Sequence, residues 1–160
     1  MILDEQAELE SRVLKVCPVV VRQKAGKREL LMFKHPLAGI QIVKGTIEPD
    51  DTSYEQAAIR ELSEESGLSH VLGTQYLGRW ESGSREHIWH FVYCEVNPQP
   101  ERWTFHTLDD GGHDFQFFWQ GRIEKCIHFP NGKVAFWIFQ FFLGASITYP
   151  EPSHYFIENQ

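Results

Sequence analysis

Glu61, Glu64 and Glu65 lie in the stretch Arg60-Glu61-Leu62-Ser63-Glu64-Glu65-Ser66. On a helix turning about 100° per residue, the three carboxylates share an arc of roughly 100°. Acids this close repel one another and raise one another's pKa. A divalent cation relieves that repulsion, and hard carboxylate oxygens suit Mg2+ or Mn2+. The same pattern also fits a plain solvated acidic face. The spacing alone leaves both readings open.

The elements that must position these acids can be read from the surrounding pattern. Ser53 to Ser66 is the clearest helix: Thr52 followed by Glu55 makes a capping box at its start, and Gly67 supplies the stop. Ala57 shares the acidic arc and is small enough to leave room before the acids, while Ala58, Ile59, Leu62 and Ser66 form a stripe that can pack on a sheet. Strands are expected over Val13–Gln23, with Pro18 marking an edge or a bulge, and over Glu29–Lys34 after a turn at Lys24–Lys27. Further strands are expected over Ile40–Val43, Gln75–Trp80, Glu86–Glu95, Arg102–Leu108 and Phe115–Gln120, and a buried closing helix over Lys133–Leu143. Strands on both sides of a central helix, with a second helix at the end, predict an α/β sandwich.

The chain has 160 residues, which suits one domain over 1–160 with a real core. Its 12 Phe, 5 Tyr and 5 Trp predict a core and pocket rich in rings. A net charge of -7 lacks the basic field of a nucleic-acid binder. Cys17, Cys94 and Cys126 have neither disulfide parity nor zinc spacing, so reduced buried thiols are expected. The first residues hold no apolar run of a signal peptide, and Val134–Tyr149 falls short of the ~20 apolar residues of a membrane span. A cytoplasmic protein without membrane or nucleic-acid partners is the expectation.

The run from Gly45 to Leu68, GTIEPDDTSYEQAAIRELSEESGL, resembles the box of the Nudix hydrolase family. Its helical half, Arg60 to Leu68, matches that box in type and spacing. Its front half departs from it: the family's loop glutamate is replaced by Asp51, and eight residues rather than seven separate that position from Arg60. The resemblance implies a Nudix-like α/β/α sandwich with a mixed β-sheet and the box loop-helix. It implies metal-dependent cleavage of a phosphoanhydride bond in a nucleoside diphosphate linked to another moiety. Glu61, Glu64 and Glu65 would be Mg2+ or Mn2+ ligands, Arg60 would orient them, and the Gly45 carbonyl would join the metal shell. The alternative is a Nudix fold that binds a nucleotide or regulates without turnover.

For substrate, Lys44 could meet a phosphate, and Arg79, Trp80, Arg85 and Trp89 could clamp phosphate or stack on a base. Alternation puts Trp89 and His90 on opposite faces of a strand, at least one of them core. Asp109, Asp110, His113 and Asp114 lie in the glycine-bearing segment LDDGGHDF, where Asp110, His113 and Asp114 could supply a base or a lid. The resemblance argues against ADP-ribose cleavage, because no proline stands between Pro49 and Pro98, and against the zinc-bearing NADH type, because no four-cysteine module precedes the box. Lys44 to Pro49 is similar to enzymes acting on dinucleoside polyphosphates or diphosphoinositol phosphates. Relatives often dimerise, and the aromatic C-terminal segment could supply a homodimer interface.

Overall fold

The computed structural model describes residues 13–81 and 87–121, with all their side chains except those of Trp80, Glu81 and Asp110. Arg85, Cys126 and the closing helix expected over Lys133–Leu143 lie outside the described residues. Among the described residues, nine strands and one α-helix follow in chain order: β1 (Val13–Val19), β2 (Val21–Lys24), β3 (Lys27–His35), β4 (Gly39–Gln41), β5 (Gly45–Thr46), α1 (Tyr54–Ser66), β6 (Val71–Glu81), β7 (His87–Val96), β8 (Arg102–Thr107) and β9 (His113–Gln120). They build two sheets. One is mixed, ordered β5-β1-β7-β6, with β1 and β7 parallel. The other is antiparallel, ordered β2-β3-β9-β8, with β4 beside β3. This is the expected mixed α/β architecture.

The strand expected over Val13–Gln23 is in fact two. The chain breaks at Val20, and β1 joins the first sheet while β2 joins the second. Pro18 stands where its lack of an N–H does least harm, because β5 pairs β1 only at Lys15 and Val16. β2 and β3 form a hairpin whose turn residues, Ala25 and Gly26, both have positive φ (51° and 75°), the pair a right-twisted two-residue hairpin favours. β7 lies between β1 and β6. Its consecutive residues Ile88 to Val92 are all buried, so both of its faces are core.

Helix α1 packs on the sheets through Ala57, Ala58 and Leu62, which join Val16, Val43, Val92, Leu31, Phe33, Phe115 and Phe117 in one core cluster. Ala57 is fully buried, so it fills the core and leaves no open space before the acids. The N-cap is Ser53, not Thr52: its Oγ accepts from the Gln56 N–H at 3.0 Å, and the Gln56 side-chain oxygen accepts from the Thr52 N–H and hydroxyl. The cap thus falls at Ser53, one residue later than the sequence suggests, and Gln56 reaches back past it to Thr52. Gly67 ends the helix at φ 79°, with its N–H donating to the Ser63 carbonyl. Phe105 lies against its Cα face, so a side chain there would also collide with the ring. Cys17 and Cys94 are free and buried, and burial pushes the Cys94 thiol up to about 12, which keeps it inert. No helix among the described residues is long and apolar enough to cross a membrane.

Candidate functional site

Glu61 projects from the middle of α1 toward the backbone of Gly45. A Cβ at position 45 would occupy the space of the Glu61 carboxylate, so only glycine lets the loop pass there. Glu61 is 5% exposed. Burial pushes its carboxyl up to about 7, outweighing the Arg60 guanidinium, and Glu64 and Asp109 add to the rise. An acid in this position carries a standing electrostatic cost that a bound cation would remove.

Arg60 ties the loop to the acids. Its guanidinium donates twice to Asp51, Nε to Oδ1 at 2.9 Å and Nη2 to Oδ2 at 2.7 Å. Nη2 also donates to the Thr46 carbonyl at 3.0 Å, while Nη1 reaches Glu61 Oε1 at 2.9 Å and Glu64 Oε2 at 3.1 Å. A planar fork of five donors allows one side chain to serve all of them. The Asp51 side chain is itself buried and also accepts from the Glu48 N–H at 2.8 Å. The Arg60 hydrogen bonds hold its carboxyl below the usual range. The longer loop therefore turns at Glu48–Asp51 and delivers the shorter aspartate to the guanidinium.

The structure brings Glu61 and Glu64 together with a third acid, Asp109. One carboxylate oxygen from each lies within 4.8 Å of the others. Oxygens facing each other across a magnesium octahedron stand about 4.2 Å apart, so small side-chain adjustments converge the three on one hard cation. Asp109 opens a 3-10 turn over Asp109–Gly111 between β8 and β9. The helical arc contains no hint of it, and its only sequence signal is its place in the acidic, glycine-bearing segment.

Glu65 lies beside this group, near enough for the charge of Glu61 to act on it. Its Oε2 accepts from the Lys44 N–H at 3.3 Å, and burial followed by the charge of Glu61 pushes its carboxyl up to about 8. Lys44 is half-buried, desolvation lowers its pKa, and its Nζ donates to Gln41 Oε1 at 3.2 Å. Asp114 is exposed and pairs with His106 Nδ1 at 2.7 Å, and the His113 ring sits 4.9 Å from that of His35. Trp89 is 8% exposed on β7, paired with Lys15 of β1 and Trp80 of β6, whereas Arg79 on β6 is exposed.

His90 is among the buried polar groups outside this cluster. His90 is 1% exposed, stacks on Tyr54 with ring centroids 3.8 Å apart, and holds the Tyr76 hydroxyl at 2.8 Å through Nδ1. Burial drives its pKa down to about 4. A histidine inside an apolar strand gave no sign of that ring stack, because its partners come from α1 and β6.

The family model of the NUDIX domain matches residues 14–134. The chain belongs to the Nudix family. Membership places it among hydrolases acting on phosphorus-containing substrates. Solved structures share the Nudix fold. A MutT structure from work on Aliivibrio salmonicida and Vibrio cholerae is 21% identical, with a TM-score of 0.58 over 82% of this chain and 99% of its own. A C. elegans Ap4A hydrolase in a binary complex is 21% identical, with a TM-score of 0.56 over 83% of this chain and 99% of its own. The NUDIX domain of Shewanella oneidensis NrtR, complexed with ADP ribose, is 15% identical, with a TM-score of 0.52 over 71% of this chain and 82% of its own. No curated protein matches the sequence significantly.

Proposed function

We propose that this Nudix protein is a metal-dependent pyrophosphohydrolase that cleaves a phosphoanhydride bond in a nucleoside diphosphate linked to another moiety. The observation that carries the reading is the convergence of Glu61, Glu64 and Asp109 within 4.8 Å, braced by Arg60. These three would hold Mg2+ or Mn2+, and the Gly45 carbonyl and Glu65 stand next in line as ligands. When bound, the cation neutralises charge on the phosphates and acidifies the attacking water. Arg60 keeps two of the carboxylates aimed while its own charge is spent on Asp51, and positioning of this kind does most of the work in phosphoryl chemistry.

The remaining assignments follow from the same reading. Lys44, beside Glu65, would meet a phosphate. Arg79, Trp80, Arg85 and Trp89 belong to the substrate side, with Arg79 exposed on β6. The segment with Asp110, His113 and Asp114 forms the rim that closes toward the acids. The 160 residues act as a single cytoplasmic domain on a small molecule, without nucleic-acid or membrane partners, and the aromatic C-terminal segment is the candidate homodimer surface. Use of the fold for nucleotide binding without turnover is the competing reading, and the full acidic set argues against it.

A panel of nucleoside triphosphates, dinucleoside polyphosphates and ADP-ribose with Mg2+ tests this. Phosphate-containing product is expected from at least one of them, falling roughly 100-fold or more in Glu64→Gln, because several kcal/mol of charge stabilisation is lost. Binding without product across the panel would favour the competing reading.

A further inference from the structure

We infer that Thr107 is a positioning residue that locks Asp109 onto the acid-bearing helix and so completes the cation site. The inference rests on the reading of Glu61, Glu64 and Asp109 as cation ligands.

The argument starts from the end of α1. A helix leaves its last four carbonyls without partners of its own. Here the Gly67 N–H takes the Ser63 carbonyl, and the next strand but two supplies partners for others. The Trp103 indole Nε1 donates to the Ser66 carbonyl at 3.0 Å, and the Thr107 hydroxyl donates to the Glu64 carbonyl at 3.0 Å. β8 is thereby stitched along the helix end at two points, with Phe105 against Gly67 between them. The two stitches differ in what lies beyond them. Trp103 leads only into the core, where it stacks on Phe117 at 5.0 Å. Thr107 leads to the site.

The Thr107 oxygen also accepts from the Asp109 N–H at 3.3 Å. One hydroxyl therefore spans from the backbone of Glu64 to the backbone of Asp109, two of the three converging acids. The Asp109 carbonyl is fixed in turn by the Gly112 N–H at 2.9 Å. Thr107 is 1% exposed, so water does not compete for either bond. Asp109 itself lies on a short turn whose neighbour Leu108 is 85% exposed, and none of the side chains described in that turn is buried. Among the described residues, no other group fixes the Asp109 N–H to the helix. A hydrogen-bonded partner that orients a ligand typically controls metal affinity by roughly 10–100-fold.

The experiment titrates Mn2+ into the purified protein by calorimetry, alongside melting temperatures. Thr107→Val, which keeps the shape and removes the hydroxyl, is expected to weaken Mn2+ binding roughly 10–100-fold. Thr107→Ser is expected to bind close to wild type. The double variant Thr107→Val with Asp109→Asn is expected to be no weaker than Asp109→Asn alone, because both act on the same ligand. Trp103→Phe cuts the other stitch and is expected to lower the melting temperature while leaving Mn2+ affinity unchanged. Thr107→Ala gives the same comparison if the valine variant does not fold. Wild-type Mn2+ affinity in Thr107→Val, with weakened binding in Asp109→Asn, would overturn the positioning role and leave the cation site standing. Unchanged affinity in Asp109→Asn, with weakened binding in Glu61→Gln, would remove Asp109 from the site and this inference with it. Unchanged affinity in Glu61→Gln would overturn the cation reading itself.

Discussion

Glu61→Gln should make the metal-free protein more stable while abolishing its response to metal. The Glu61 carboxyl ionises near pH 4.5 when unfolded and at about 7 when folded, because burial outweighs the help from Arg60. That difference corresponds to about 3 kcal/mol at 1.36 kcal/mol per pH unit. Its sign follows from linkage: the folded pKa is raised, so stability is complete below about pH 4.5 and is lost as pH rises from there through 7. At pH 8 in EDTA the wild type bears the whole cost. The glutamine, a shape match for the neutral acid, escapes it. The variant should melt roughly 6–12 °C higher, taking 2–4 °C per kcal/mol for a domain of this size. At pH 5 the gap should shrink below about 1 kcal/mol. Mn2+ at about 100 times its Kd should add about 2.7 kcal/mol to the wild type and far less to the variant. Thermal denaturation followed by circular dichroism, with and without Mn2+, reads all four conditions. A variant less stable than wild type in EDTA at pH 8, yet equally stabilised by Mn2+, would mean that Glu61 is only the structural partner of Arg60.

Gly45→Ala places a methyl group in the space of the Glu61 carboxylate. It should cost about 1–3 kcal/mol of stability and weaken Mn2+ binding, measured together by melting and calorimetry; unchanged Mn2+ affinity would contradict the close approach. Asp51→Ala leaves Arg60 without its bidentate partner and should cost about 3 kcal/mol in urea denaturation, with a loss under about 0.5 kcal/mol contradicting the brace. His90 should titrate near pH 4 by NMR, since burial favours its neutral form. Its folded pKa is depressed, so its contribution is intact above about 6.5 and is lost as pH falls from 6.5 through 4; a measured value near 6.5 would mean that water reaches the ring.

The sequence by itself determined the local elements and the chemistry they carry. The arc of Glu61, Glu64 and Glu65, the stop at Gly67 and the hairpin turn at Ala25-Gly26 depend on neighbours a few residues away, and periodicity and backbone preference reveal such features directly. Even the helix cap was legible to within one residue, as Ser53 with Gln56. The tertiary structure decided which oxygens converge. Glu61 is buried because the Gly45 loop passes over it, and Glu65 is drawn to the Lys44 backbone. Asp109 completes the acid cluster because β8 docks on the open carbonyls at the end of α1, which are invisible in a list of side chains. Packing also split the first strand at Val20 and buried both faces of β7, since each depends on what lies across the sheet. Spacing along the chain sets which groups share a helix face. Distances across the fold set which of them share a cation.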